Sequence, residues 1–403
     1  MGDAPPTPRL ATRQKLDDLL SAQTAKGNLP AIFFAATNAE ETLYLNQAGQ
    51  RVHGEPDKGT VTEDTHQDPD ERIEKWLPEL GTVKLLTGYD DAGNGILVNP
   101  TTKITLRMLL THTSGLVYAF LESPATKYFA ANGPASQFNC GVEGITTPLV
   151  FEPGAAFAYS HATDWVGILI ERVSGTSLEE YFKKAFFEPL GMTTVTFYPT
   201  EKIHETKMSV CTRVPPSTGS IYKIPGDFGM GRATKPEDLK IMHGGAGLYG
   251  SQKDYLKFLR AVLASDPRRA NPKALLSPFV YKSLFTSALP EPTAGPHRQL
   301  MSEFITAWMP DEPPYVLNAG NLTHSLGCGL NLTDAPGRRK AGSVFWGGVA
   351  KTAYWIDPES GIAGVVGTNM LVAGRDPDPW QPFLYAFERT VYASLAQPPK
   401  ANL

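Results

Sequence analysis

The chain is 403 residues long, 41% hydrophobic and 19% charged, with a formal net charge of −4. This length buries a large core in one domain or two interleaved lobes, and no apolar run approaches the roughly 20 residues that span a bilayer, which sets a membrane role aside. With no Lys/Arg run there is no field for a phosphate backbone, so nucleic acid is excluded as a partner.

Three widely separated cysteines, Cys140, Cys211 and Cys328, lack metal spacing and read as buried free thiols. The start, Met1-Gly2-Asp3-Ala4-Pro5-Pro6, has neither the basic region nor the apolar core of a secretory signal. A cytoplasmic protein is expected.

In chain order, Leu16, Leu19 and Leu20 share one helical face. Ala31–Ala36 and Thr42–Leu45 flank a polar turn at Asn38–Glu41 and read as a buried hairpin. Trp165, Leu169 and Val173 recur every four residues and stop at Ser174-Gly175, the pattern of a helix with a glycine terminus. Ser177-Leu178-Glu179-Glu180 is a capping box for the next helix, whose apolar face is Tyr181, Phe182, Ala185 and Phe186.

Ser251 is placed to cap a helix carrying Tyr255, Phe258, Leu259, Val262 and Leu263. The Pro-rich segment from Ala288 to Pro314 reads as a loop covering a site. Ser343–Trp346, Thr352–Ile356 and Ile362–Gly367 are separated by glycine and proline turns. They predict an antiparallel meander, closed by a helix near Pro382–Ala396.

Six short signposts occur in order: Thr111-His112-Thr113-Ser114-Gly115-Leu116, Pro153-Gly154, Tyr159-Ser160-His161, Pro189-Leu190-Gly191-Met192, Gly244-Gly245-Ala246-Gly247-Leu248 and Trp346-Gly347-Gly348. This series resembles the β-lactamase-like serine hydrolases, the family of class C β-lactamases, penicillin-binding esterases and fungal transesterases. The resemblance runs from about Leu29 to the last helix. It implies an α/β fold: an antiparallel β-sheet flanked by helices plus an inserted, mostly helical lobe. As one domain over 1–403, the sheet lobe would comprise approximately 1–66 and 241–403, the helical lobe approximately 67–240, with the substrate cleft between them.

The resemblance also implies acyl transfer through a serine ester, with the serine in a Ser-x-x-Lys motif and a tyrosine sharing proton transfer with the lysine. Tyr159 matches that tyrosine. An unperturbed phenol is a poor base at neutral pH, so this role needs a nearby cation. Trp346-Gly347-Gly348 stands where penicillin-interacting enzymes carry Lys-Thr-Gly. Loss of that lysine favours neutral esters or thioesters over carboxylate-bearing substrates. The N–H of Val349 matches the strand donor of the oxyanion hole; the structural alternative is that Gly347-Gly348 is a strand bulge. His161 would contact an acyl chain or, equally, meet a backbone carbonyl at a helix start. His112 and Ser114 belong to a loop that is structural in the family, and Ser114 is a poor nucleophile candidate. No His-x-His-x-Asp cluster is present, so no metal is expected, and no cofactor is called for.

In the family, Ser-x-x-Lys opens a long apolar helix. Here Thr62-Glu63-Asp64-Thr65 matches the start of that region and Asp68-Pro69 through Leu77-Pro78-Glu79-Leu80 its end, with only His66-Gln67 between them. Ser220-Ile221-Tyr222-Lys223, a β-like stretch, is the sole Ser-x-x-Lys match in the sequence and reads as accidental. Removing such a nucleophile costs on the order of 10⁶ in turnover. Removing its helix would leave the two lobes facing a cavity lined by orphaned apolar surface.

The expected function is therefore an ester- or thioester-directed esterase or acyltransferase (transesterase), of a kind used in secondary metabolism, with a small-molecule substrate and an acyl carrier as a candidate donor. This sequence lacks its nucleophile. A sequence assembled without one exon, the real protein being an active enzyme, is the leading explanation of the junction; a genuine pseudoenzyme that binds a small molecule is the second, and a different nucleophile the third.

Overall fold

The computed structural model describes residues 10, 13–25, 31–49, 73–74, 76–121, 123–133, 137–138, 140–214, 219–225, 235–289, 294–308, 318–371 and 380–395. The junction at Thr65-His66-Gln67-Asp68 lies outside the described residues. After the first helix, α1 (Gln14–Ala25), the hairpin of β1 (Ala31–Thr37) and β2 (Thr42–Gly49) forms as its alternation predicts. Asn38 holds the turn, its Oδ1 accepting from the backbone N–H of Glu40 at 2.8 Å and of Glu41 at 2.7 Å, an Asx geometry.

A two-stranded ribbon, β3 (Leu85–Tyr89) and β4 (Gly95–Val98), follows the short helix α2 (Pro78–Thr82). Helices α3 (Leu106–Leu110), α4 (Thr126–Asn132), α5 (Val142–Ile145), α6 (Ala162–Ser174), α7 (Leu178–Phe182), α8 (Glu188–Leu190) and α9 (Glu201–Thr206) come next. The capping box is complete: the Ser177 hydroxyl accepts from Glu180 N–H, and Glu180 reaches back to Ser177 N–H. Gly175 ends α6 in the left-handed conformation at φ 69°, where a side chain would be strained. The expected apolar stripe of α6 stops early, because Trp165 and Leu169 are buried while Val173 faces solvent at 59% exposure.

Strands β5 (Cys211–Val214) and β6 (Ser220–Lys223) pair antiparallel beside the later strand β12 (Met370–Leu371). Successive strand residues point to opposite faces, so Ser220 and Lys223 cannot meet as they would on one face of a helix. Their Ser-x-x-Lys spacing is accidental.

The main sheet has seven strands in the order β2-β1-β11-β10-β9-β8-β7, with β7 (Leu322–His324), β8 (Gly329–Asn331), β9 (Val344–Gly348), β10 (Thr352–Asp357) and β11 (Ile362–Gly367). All of its neighbours are antiparallel. Strand alternation separates two cores. Phe34, Ala36, Trp355, Ile362 and Val366 face α1 and the closing helix α13 (Gln381–Ala393), where Phe34 stacks on Phe387 at 4.2 Å. Ala35, Val344, Ile356, Ala363 and Val365 face the other way, into a core shared with α6 and with α10 (Gln252–Ala264), whose N-terminus Ser251 caps by accepting from Asp254 N–H.

The segment expected to be a covering loop contains a helix. Beyond α11 (Pro278–Leu284), α12 spans Ala294–Trp308. Met301, Phe304, Ile305 and Trp308 fall at helical spacing, and Met301 and Ile305 are buried. Pro296 is tolerated because it sits in the first turn, where no intrahelical donor is lost. Ala288 and Leu289 are buried at the start of that segment, and residues 290–293 and 309–314 lie outside the described residues.

Trp355 lies across its pairing partner Gly364, where an added Cβ would stand 2.3 Å from the indole Cη2. Gly364→Ala is therefore expected to lower stability by about 1–3 kcal/mol in urea titrations. Gly348→Ala, whose Cβ meets nothing, should stay within about 0.5 kcal/mol.

Candidate active site

The loop after α3 and the segment before α6 are laced together by backbone bonds. Gly154 N–H donates to Thr113 O at 2.7 Å, Ala158 N–H to His112 O at 3.0 Å and Tyr118 N–H to Tyr159 O at 3.4 Å. His112 holds a left-handed backbone at φ 54°, and its Nδ1 lies 3.3 Å from Ser160 Oγ. At Gly115, φ 88°, a Cβ would stand 2.4 Å from Phe151 O, which explains the glycine. Ser114 is fully buried. The loop fixes the Tyr159 backbone and presents no nucleophile of its own.

Tyr159 projects into an aromatic cluster. Its ring centroid lies 4.7 Å from Phe304 of α12, 4.8 Å from His112, 5.3 Å from Tyr118 and 5.5 Å from Trp346. Desolvation pushes its phenol above the usual value, opposed by a hydrogen bond from the Trp346 indole and reinforced by the charge of Asp164; no cation is among these influences.

Trp346, Gly347 and Gly348 end β9 in regular register against Tyr354, Ala353 and Thr352, with no bulge. Val349 is half-buried in the turn that follows, where Lys351 N–H donates to Gly348 O at 2.9 Å. The structure thus brings Tyr159 and Trp346 together at the end of that strand. His161 is set apart. Its ring is fully buried beside Gln137 (Nδ1 to Nε2, 3.3 Å) and Thr147 (Nε2 to Oγ1, 3.4 Å) and also meets the Ile145 carbonyl.

Next to Tyr159 and Trp346 opens a cavity of about 420 Å³. Val166 and Ile170 of α6, Phe258 and Val262 of α10, and Val344 and Ile356 of the sheet are among its walls. Among the described residues no group of three or more His, Cys, Asp or Glu could hold a metal ion, and no helix is long and apolar enough to cross a membrane.

The Beta-lactamase family profile matches residues 59–385. The chain belongs to that family. Among its relatives, monacolin J acid methylbutanoyltransferase of Aspergillus terreus is 30% identical over 350 residues, covering 82% of this chain and 77% of the relative. Lovastatin esterase of Penicillium rubens is 30% identical over 321 residues, covering 78% and 76%. The LovD6 mutant of simvastatin synthase from Aspergillus terreus superposes with a TM-score of 0.78 at 26% identity, covering 94% of each chain. The β-lactamase-like fold expected from the signposts is the fold observed.

Several residues around this beta-lactamase-family site escaped sequence reading. Phe304 comes from α12, whose His297 pairs with the Gly154 carbonyl at 3.0 Å. Buried Asp164 accepts from Gly245 N–H at 2.8 Å, pinning the Gly244–Gly247 loop on α6, where a Cβ at Gly244 would stand 2.3 Å from Thr163 O. Cys328 Sγ lies 3.2 Å from the Tyr354 hydroxyl in the cavity wall, and burial pushes its thiol up to about 11. An Asp in a helix first turn and a lone Cys carry no local signal for these contacts.

Three buried imidazoles, His112, His161 and His324, set a pH response. Desolvation lowers both His161 and His324 to about 4, with the Nδ1 of His324 2.6 Å from Ser325 O. The unfolded chain binds these protons near 6.5 and the folded chain only near 4, so stability is full above about pH 6.5 and is lost as pH falls toward 4. Each histidine should contribute up to about 1.4 kcal/mol per pH unit in that window. Urea midpoints between pH 7 and 4.5 should fall less steeply in His161→Asn than in the parent chain.

Proposed function

We propose that this chain carries an ester-directed acyl-transfer site that, in this sequence, binds without turning over. The observation that carries this reading is the Tyr159–Trp346 pair: a phenol held protonated beside the indole, with no cation acting on it. The sequence's single Ser-x-x-Lys lies on β6, where its serine and lysine point apart. An acyl-enzyme needs a nucleophile and a base within hydrogen-bond reach of each other.

In this reading the cleft lies between a sheet lobe (approximately 1–66 and 241–403) and a helical lobe (approximately 67–240). Tyr159 would relay a proton, the Val349 N–H would meet the developing oxyanion, and Trp346, Gly347 and Gly348 would form an uncharged floor for an ester or thioester. His161, buried at the start of α6, would support the helix and leave substrate contact to the others. Relatives named as a methylbutanoyltransferase and an esterase support acyl groups as the substrate class, with a small molecule or an acyl carrier as donor. The three cysteines, all free and buried, are compatible with a cytoplasmic setting.

The cavity favours a second reading, a pseudoenzyme that keeps the scaffold as a small-molecule binder. Incubation of the purified chain with a p-nitrophenyl ester and a fluorophosphonate probe should give neither turnover above background nor a labelled serine. Serine labelling, with turnover abolished by Tyr159→Phe, would overturn the inactivity. Transcript sequencing across Thr65–Asp68 separates the two origins: an insert encoding Ser-x-x-Lys identifies a missing exon, and its absence identifies a pseudoenzyme.

A further inference from the structure

The cavity beside Tyr159 has a composition that selects its occupant. No Asp, Glu, Lys or Arg is among its lining residues, and its only ionisable imidazole, His112, is held neutral by burial. An aliphatic wall from α6, α10 and the sheet makes up one part. Polar atoms come from Tyr159, Trp346, His112 and the Cys328–Tyr354 pair, with Thr163 of α6 and Tyr255 of α10. At about 420 Å³ it has room for on the order of fourteen water- or methylene-sized groups. It falls in the range of small-molecule pockets, which are mostly apolar with a few placed polar groups.

An aromatic ladder lies behind one wall. A Cβ at Gly245, one of the lining residues, would meet Thr163 Oγ1, Asp164 Oδ1 and, at 3.3 Å, the Tyr118 hydroxyl, and Tyr118 stacks at 4.9 Å on Phe120, which is 51% exposed. Phe138 completes this aromatic ladder at 5.9 Å from Phe120. A carboxylate entering the cavity would lose its hydration with no cation to meet it, whereas a carbonyl or hydroxyl needs only one hydrogen-bond partner.

We propose that this cavity is a binding site for one neutral, largely hydrocarbon molecule of medium chain length bearing a single uncharged carbonyl or hydroxyl. The proposal deepens the binding reading above by naming the ligand class and its seat, and it rests on the cavity walls rather than on acyl transfer. Binding adds dispersion contacts to walls that exist only in the folded chain, so occupancy and folding are linked.

The probe is 2-decanone, a ketone without a leaving group, so its binding is read independently of any ester chemistry. Isothermal titration calorimetry of the full chain should show one equivalent bound with a negative heat-capacity change, and the unfolding midpoint should rise with ketone concentration. Decanoate at pH 8, of matching chain length but charged, should bind at least tenfold more weakly. Val166→Phe and Val262→Phe fill the cavity from α6 and α10. Each folded variant should lose at least tenfold in ketone affinity and unfold at a higher temperature than the parent without ligand. Absent binding of the ketone by the parent chain, equal affinity for decanoate, or undiminished ketone affinity in a folded filled variant overturns the proposal. The parent-chain comparison of ketone with carboxylate decides the matter even if neither variant folds.

Discussion

One constraint governs this molecule: the apolar face that the sheet turns toward α6 and α10 must be covered, and in the described residues it is covered incompletely. The opposite face shows full closure. There Phe34 stacks on Phe387, and Trp355 fills the space left by Gly364, so strand and helix meet in direct contact. On the inner face Val344 and Ile356 look into a void bounded by Val166, Ile170, Phe258 and Val262. The sheet is built as though another layer belonged there.

The chemistry of the site follows from that gap. Tyr159 is positioned from behind by backbone bonds to the Thr111–Tyr118 loop and laterally by Phe304, His112 and Trp346. Such packing orients a phenol well, yet burial alone raises its pKa, and only a neighbouring positive charge would reverse the shift. Positioning and activation are separate requirements. Here the first is met, and none of the influences on the phenol meets the second. The proposed binding without turnover rests on this cavity with uncharged walls beside a phenol that burial keeps protonated.

Features decided by near neighbours in the chain were legible from sequence. The hairpin at Asn38, the Ser177 and Ser251 caps and the meander of β9, β10 and β11 each rest on a few adjacent residues, and each stands where its pattern put it. The ordered short motifs carried the family and the fold. Contacts between distant segments left no such trace. Pro296 and its surroundings disguised α12, so Phe304 was not placed against Tyr159; the four-residue repeat of α6 overstated burial at Val173. Nothing local marks Asp164 as the anchor of the Gly244–Gly247 loop 81 residues away. Tyr159 and Trp346, singled out in the sequence, lie side by side, while the burial of His161 emerged only in three dimensions.

The void itself is the most direct thing to measure, through its volume. Pressure unfolds proteins in proportion to the internal space they eliminate, with unfolding volumes ordinarily of about −20 to −100 mL/mol. Filling the pocket of about 420 Å³ between the sheet and α6 and α10 with 2-decanone predicts an unfolding volume less negative than that of the ligand-free chain if the ketone displaces empty space. An unfolding volume unchanged by saturating ketone would contradict an open apolar cavity at the centre of this protein.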